Sequence, residues 1–361
     1  MLLSLKKDPF KEESMSLPRS IASLVLLSLT AAQALAQPAA PVSLPAYGAN
    51  PQQTSVSGLS SGAFMAVQMQ VAYSGSIIGA GVVAGGPYYC AANNMMYATT
   101  ICMGNGMPIY PPLLVSAAQS FADAGLIDPL KNLNQRRVYV FSGTDDTVVR
   151  QPVVDATVEF FKEVGVQTAQ LQYVNKMPAG HAVITPSYGN DCAANADPYI
   201  SHCSVETKGY DQAGALLQHI YGALQPRVDT PSGTIVSFNQ RTYASAATGM
   251  AGTGFVYVPK SCSTTGANCK VHVAIHGCKQ SVESVGNQFI TDTGYNNWAD
   301  NNKLMVLYPQ VNKSWSPLNP DGCWDWWGYT GTNYAYKSGS QMKAIKAMVN
   351  QLAQQPKKSR T

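Results

Sequence analysis

Short apolar runs of strand length alternate along this chain with segments in which apolar residues recur every three or four positions. The first pattern is that of a buried β-strand and the second that of a helix with one face in a core. Read this way, the sequence predicts a short strand ending near Ser57, a helix over 63–73, a buried strand over 77–84 and a helix over 115–126. A strand over 137–142, a helix over 152–164, a strand over 171–175 and a helix over 212–224 follow. Residues 225–233 hold two prolines and read as a surface connection. Beyond them come strands over 234–238, 255–258, 271–275 and 304–308 and a last amphipathic helix over 341–352. Strands separated by helices imply a mostly parallel sheet covered on both faces, so the fold class is α/β.

The run over 21–32 is different, because it is apolar without a period, follows Arg19 and leads to Ala34-Leu35-Ala36. Small residues at Ala34 and Ala36 match what a signal peptidase reads, which predicts cleavage after Ala36 and translation from Met15. The expected organisation is a signal peptide over 1–36, a lead over 37–53, one folded domain over 54–355 and a tail over 356–361. The mature protein is then secreted to the extracellular space or periplasm with no membrane anchor.

Export changes the reading of the eight cysteines. In an oxidising compartment an even number predicts disulfides. Spacing pairs Cys90 with Cys102, Cys192 with Cys203 and Cys262 with Cys269, leaving Cys278 for Cys323. Eight cysteines admit 105 connectivities, and the other pairings stay open. No two cysteines have zinc-ligand spacing, so no metal is expected. Charge adds an exclusion. Only 12% of the 361 residues are charged, about half the usual fraction of roughly 25%. A formal net charge of +4 without long Lys/Arg runs argues against a nucleic-acid partner.

The sharpest chemical signal is Gly58-Leu59-Ser60-Ser61-Gly62, a G-x-S-x-G between a strand and a helix. A nucleophilic serine needs such a turn to lift its hydroxyl clear of the sheet, with glycines that allow close packing of strand and helix. It also needs a histidine to take its proton and a carboxylate to fix that histidine's tautomer. The strand over 137–142 runs into Gly143-Thr144-Asp145-Asp146-Thr147-Val148-Val149, where the spacing favours Asp146 over Asp145 as the acid. Either could instead close an Asx-turn or cap a helix. The next strand leads to His181, the expected base among five histidines. Of the others, His219 is on a helix, His202 is beside a cysteine, His272 is in a strand, and His276 opens His276-Gly277-Cys278. That last motif supplies an oxyanion donor, the Cys278 N–H, to act with the N–H of Ser61.

The His-Gly loop comes more than two hundred residues after the serine, whereas hydrolases of this type place it before. Reading 234–352 first and 55–224 second restores the ordinary succession, which predicts a circularly permuted chain in which both halves build one sheet.

Together Gly58 to Ala63, Gly143 to Val149, Ala274 to Cys278 and Gly322-Cys323-Trp324-Asp325-Trp326 resemble the extracellular poly(3-hydroxybutyrate) depolymerases, and within them the group with an N-terminal lipase box and a permuted α/β-hydrolase fold. The resemblance runs from about Thr54 to Leu352. It implies a triad of Ser60, Asp146 and His181, an oxyanion hole of the Ser61 and Cys278 amides, no cofactor, and a neutral polyester or hydroxyalkanoate oligomer as substrate. Many such enzymes carry a polymer-binding module after the catalytic part, and the sequence as given ends at Thr361 without one, which puts adsorption to crystalline granules in doubt and leaves soluble oligomers or amorphous polymer open as substrates. The aromatic residues Trp324, Trp327 and Tyr329, with Tyr88, are candidates to touch substrate. A carbohydrate-ester hydrolase and a non-catalytic binding protein remain alternatives. A monomer is expected, though the oligomeric state is not legible.

Overall fold

The computed structural model describes residues 42–104, 106–264 and 266–356, so the predicted signal segment lies outside the described residues. At the centre is an eight-stranded sheet. Its strands are β1 (Thr54–Leu59), β2 (Ile77–Val83), β3 (Arg137–Phe141), β4 (Leu171–Val174), β5 (Thr234–Asn239), β6 (Thr253–Val258), β7 (Lys270–Ile275) and β8 (Leu304–Tyr308). Across the sheet they lie in the order β4-β3-β2-β1-β7-β8-β6-β5. Only β6 runs against its neighbours. The first half of the chain supplies one side of the sheet and the second half the other. They join where β1 pairs in parallel with β7, Ser55 opposite His272 and Gly58 opposite Ile275. Counted from β5, the strands cross the sheet in the order 1-2-4-3-5-6-7-8.

Five long helices pack about the sheet, α1 (Ser61–Ala72), α2 (Pro111–Asp123), α3 (Gln151–Glu163), α4 (Gln212–Tyr221) and α5 (Ser340–Ala353), with α1, α3 and α4 against its strands, α2 against α3 and α5 against α1. Each differs from its predicted span by a few residues. Helix α2 starts a turn early because Pro111 and Pro112 take the first helical positions, where a missing N–H costs nothing, and Gly125 turns left-handed just after it. Helix α1 has no exposed side: all twelve residues are buried, between the sheet and α5. Its glutamines donate inside, Gln68 to the Asp325 carbonyl at 3.1 Å and Gln70 to that of Ile77 at 3.3 Å, while Gln70 Oε1 has no partner among the described residues.

The two sheet faces differ in bulk. On one, Ser55, Ser57, Gly79, Gly81 and His272 leave space for α4, and a β-carbon on Gly79 would fall 2.8 Å from Ile220. The alternate residues Val56, Ala80, Val82, Val271 and Val273 face the other way into the apolar core. The short helix Tyr295–Ala299 lies beside α4 and on β8. Its Asn297 and the nearby Asn302 hold the 225–233 connection, Asn297 donating to the carbonyls of Val228 and Asp229 and Asn302 to that of Gln225. The described part of the lead is also fixed, with Val42 bridging to Phe238 at the β5 edge and Tyr47 and Ala49 donating to the Leu352 carbonyl. All four predicted disulfides are present, with S–S distances of 2.05, 2.01, 2.06 and 2.05 Å for Cys90–Cys102, Cys192–Cys203, Cys262–Cys269 and Cys278–Cys323.

Candidate active site

The turn between β1 and α1 puts Ser60 at φ 56°, ψ −122°, a conformation that side-chain-bearing residues rarely hold and that costs about 1–3 kcal/mol. Its surroundings over-determine it. The Ser60 N–H donates to the Val83 carbonyl at 3.0 Å, and its own carbonyl accepts from Ala63 and Phe64. A β-carbon on Gly62 would fall 2.2 Å from the Ile275 oxygen and one on Gly58 2.3 Å from the Gly62 carbonyl, so both glycines of the motif are needed for α1 to start against β7.

His181 and Asp146 come from the loops after β4 and β3. His181 Nδ1 donates to Asp146 Oδ2 at 2.8 Å, and both side chains are almost fully buried. The other carboxylate oxygen accepts from the Val148 and Val149 amides at 2.8 and 2.9 Å. The Asx-turn and the histidine's carboxylate partner are thus the same residue, one oxygen for each. Asp145 is exposed: its N–H donates to the Ala179 carbonyl, and its carboxylate accepts from the neighbouring Thr144 hydroxyl at 3.4 Å. Asn195 ties the two loops together. Its Oδ1 accepts from the His181 and Thr147 amides at 2.9 and 3.1 Å, and its Nδ2 donates to the Asp145 carbonyl at 3.0 Å.

The loop after β7 lies directly over Ser60, since a β-carbon on Gly277 would be 3.5 Å from that of Ser60. It is pinned from several sides. His276 accepts the Val311 N–H at Nε2 (3.1 Å) and donates from Nδ1 to the Gly277 carbonyl (2.7 Å), the pattern of a neutral imidazole. Complete burial pushes its pKa down to about 4. Gln280 accepts from the Gly277 amide and donates to the Pro198 and Tyr199 carbonyls, while the Lys279 N–H donates to the Asp321 carbonyl. Among the described residues neither the Ser61 nor the Cys278 N–H donates to another backbone carbonyl or to a side chain.

Ser60, His181 and Cys278 open into a cleft of about 370 Å³ whose other walls include Phe64, Met95, Met103, Leu318, Trp326 and Trp327. Trp326 stacks on Phe64 with ring centroids 4.0 Å apart. Of the four aromatic candidates from sequence, Trp327 lines this cleft and the other three do not. Trp324 is fully buried beneath the loop against His276, its ring centroid 5.5 Å away. Tyr88 is core, donating to the Ala335 carbonyl at 2.7 Å. Tyr329 turns its hydroxyl inward to the Cys323 carbonyl and supports Trp327 from behind. Burial won in each case because these hydroxyls or rings find interior partners. The wall residues that sequence reasoning missed, Phe64 four positions after Ser60 and Met95 on the short helix Met95–Thr100, carry no motif. Position relative to the serine was the available signal for Phe64. The other histidines lie apart: His272 within the sheet, His219 against the Gln170 carbonyl, His202 exposed near the Gly189 carbonyl. Among the described residues no group of three or more His, Cys, Asp and Glu could hold a metal.

Such an arrangement suits acyl transfer: a lifted hydroxyl and a histidine held by a carboxylate at a mostly apolar cleft, with two unengaged amides on the adjoining turns. The family model described as Esterase PHB depolymerase matches residues 255–358. The chain is 47% identical over 318 residues to a poly(3-hydroxybutyrate) depolymerase of Delftia acidovorans, covering 87% of this chain but 62% of that protein, so it spans less than two thirds of that relative's length. To a polyhydroxybutyrate depolymerase of Talaromyces funiculosus it is 41% identical over 344 residues, 91% of this chain and 96% of that one. The crystal structure of a PHB depolymerase from Penicillium funiculosum superposes with a TM-score of 0.79 at 39% identity, over 86% of this chain and 99% of the other. The same values hold for a serine-to-alanine PHB depolymerase complexed with an R3HB trimer. On identity and coverage alike, the chain belongs to the polyhydroxybutyrate depolymerase family.

Proposed function

We propose that the chain is a secreted serine esterase that hydrolyses poly(3-hydroxybutyrate) or its oligomers through an acyl-enzyme. The observation that carries this reading is the meeting of Ser60, the Asp146-bound His181 and the Cys278 loop at one mostly apolar cleft. His181 takes the Ser60 proton as Oγ bonds to the ester carbonyl carbon, and the oxyanion is held by the Ser61 and Cys278 N–H groups. Collapse breaks the ester C–O bond, and His181 gives the proton to the departing alkoxide. Water, deprotonated by His181, then frees the 3-hydroxyacyl fragment and restores Ser60.

Substrate class rests on the relatives, two of them named for the polymer and one solved with an R3HB trimer. A cleft walled by Phe64, Trp326 and Trp327 agrees with it, since flat aromatic faces suit a neutral ester chain. The exposed Met96, Tyr97 and Trp315 add apolar surface outside the cleft lining. Secretion is supported by four disulfides with no free cysteine among the described residues, and no described helix could cross a membrane. The strand order counted from β5 supports a permuted chain working as a single catalytic domain over 54–355.

Ser60→Ala is expected to lower turnover of p-nitrophenyl butyrate and clearing of a poly(3-hydroxybutyrate) suspension by at least about 10⁴-fold while the thermal midpoint persists. Retained turnover removes the assignment. Deacetylation of xylan without polymer clearing would instead select the carbohydrate-ester reading, and absence of fluorophosphonate labelling would select the binding protein.

A further inference from the structure

Within the cleft, charge is confined to one place. Among the described residues Lys279 is the only lysine or arginine that lines it, and Asp321 is the carboxylate beside it, 3.7 Å from the ammonium. Both side chains are about half exposed, so the pair itself contributes at most about 1 kcal/mol, and the ammonium is free to take another anion. The backbone of Lys279 is left-handed at φ 57°, where a glycine would cost about 1–2 kcal/mol less.

The pair's location gives it a direction. Tyr199 stands edge-on to His181 with ring centroids 5.9 Å apart and is within electrostatic reach of Lys279 and Asp321, whereas Phe64 and Trp326 stack at another wall. The exposed Asp197 also acts on Tyr199 but is outside the cleft lining. The leaving oxygen must meet the His181 imidazole to receive its proton, so the leaving fragment departs on this side. In a 3-hydroxyalkanoate chain the alcohol half of each ester bond is the half that carries the chain's free acid end. Lys279 also directly follows Cys278, the proposed oxyanion donor, and both line the cleft beside Ser60 and His181.

We propose that Lys279 binds the terminal carboxylate of the leaving fragment, making the cleft selective for cleavage one or two units from the acid end of a hydroxyalkanoate oligomer. The inference rests on the depolymerase reading above and deepens it by assigning a polarity to the bound chain. Chemistry at the ester is unchanged: Ser60 Oγ gains the acyl group, the ester C–O bond breaks, and the proton travels through His181 to the alcohol whose far end is the carboxylate at Lys279. Asp321 opposes that carboxylate and limits the affinity.

The test compares the 3-hydroxybutyrate trimer as free acid with its methyl ester, which lacks the charge. In the parent enzyme KM for the acid is expected below that for the ester, with the gap closing as salt is raised. Lys279→Met is expected to raise the acid-to-ester ratio of KM about tenfold, Lys279→Arg to retain the parent ratio, and Asp321→Asn to lower it. Acid and ester moving together in Lys279→Met, or a ratio unchanged in it, overturns the proposal. Turnover of p-nitrophenyl butyrate by the parent without turnover of either trimer form sinks the depolymerase reading instead, and this inference with it.

Discussion

A single oxygen decides between the adjacent carboxylates Asp145 and Asp146. Asp146 Oδ2 faces His181 and Oδ1 is consumed by two amides, which fixes the carboxylate's rotation, while Asp145 projects to solvent. Asp146→Asn is accordingly expected to lower kcat on p-nitrophenyl butyrate by about 10⁴-fold, whereas Asp145→Asn changes it less than about threefold. Equal losses would remove Asp146 from its role. Asn195 acts one step further out, as a positioning residue. Its truncation to Ala unties the His181 backbone from the acid loop, and a fall in kcat of about 10- to 100-fold with KM nearly unchanged is expected. Asn195→Asp, which keeps the acceptor, restores part of it; a change in KM alone would show that the residue serves binding. The positions of Ser60, Asp146 and His181 were legible because each follows a strand in a recognisable string. Asn195 was not, since an asparagine fourteen positions after His181 in an irregular loop carries no period and no motif, and only folding brings it under two amides.

Elements with a clear period or a run of β-branched residues were read correctly, and those lacking both were missed. Helices Val282–Val285 and Gln288–Thr291 have four residues each, too few to show a repeat. Helix α1 was found from its apolar recurrence over 63–73, although its burial all round leaves it no polar stripe. The aromatic segment 324–330 was the hardest element to read. Three tryptophans in four positions looked like one surface, yet the loop turns so that Trp324 is interior and Trp326 and Trp327 reach the cleft. Asp325 holds that turn. Its buried carboxylate accepts from the amides of Trp327, Gly328, Tyr329 and Thr330 at 3.3, 2.7, 3.0 and 2.8 Å and from the Thr330 hydroxyl at 2.6 Å. Asparagine there replaces one acceptor oxygen with a donor facing donors. Asp325→Asn is expected to raise KM for the trimer about tenfold, with a smaller effect on p-nitrophenyl butyrate, which needs less of the wall. Loss of both activities in equal measure would mean that the loop supports the triad rather than the substrate.

At the scale of the whole molecule, two core histidines set the acid limit of stability. Burial pushes His272 down to about 3 and His276 to about 4, from an ordinary value near 6.5. Both are neutral in the fold and protonate near 6.5 when it opens. The unfolded chain therefore binds more protons below that pH, and stability falls as pH drops from 6.5 toward 4. At pH 5 each histidine withdraws about 2 kcal/mol relative to neutral pH. Calorimetry at pH 5 in buffers of different ionisation enthalpy should show nearly two protons taken up by these groups on unfolding, with a lower thermal midpoint than at pH 7; release of protons would contradict both assignments. His272 also marks the seam of the sheet, bonded to Ser55 across 217 positions of sequence. That separation has a kinetic side. Contacts this remote in sequence require closure of a very long loop before any of their energy is gained, so the chain has a high contact order and must fold slowly. The strands of its first half lack one neighbour of β1 until residue 275 has been synthesised, so the centre of the sheet is completed only after three quarters of the chain has been made.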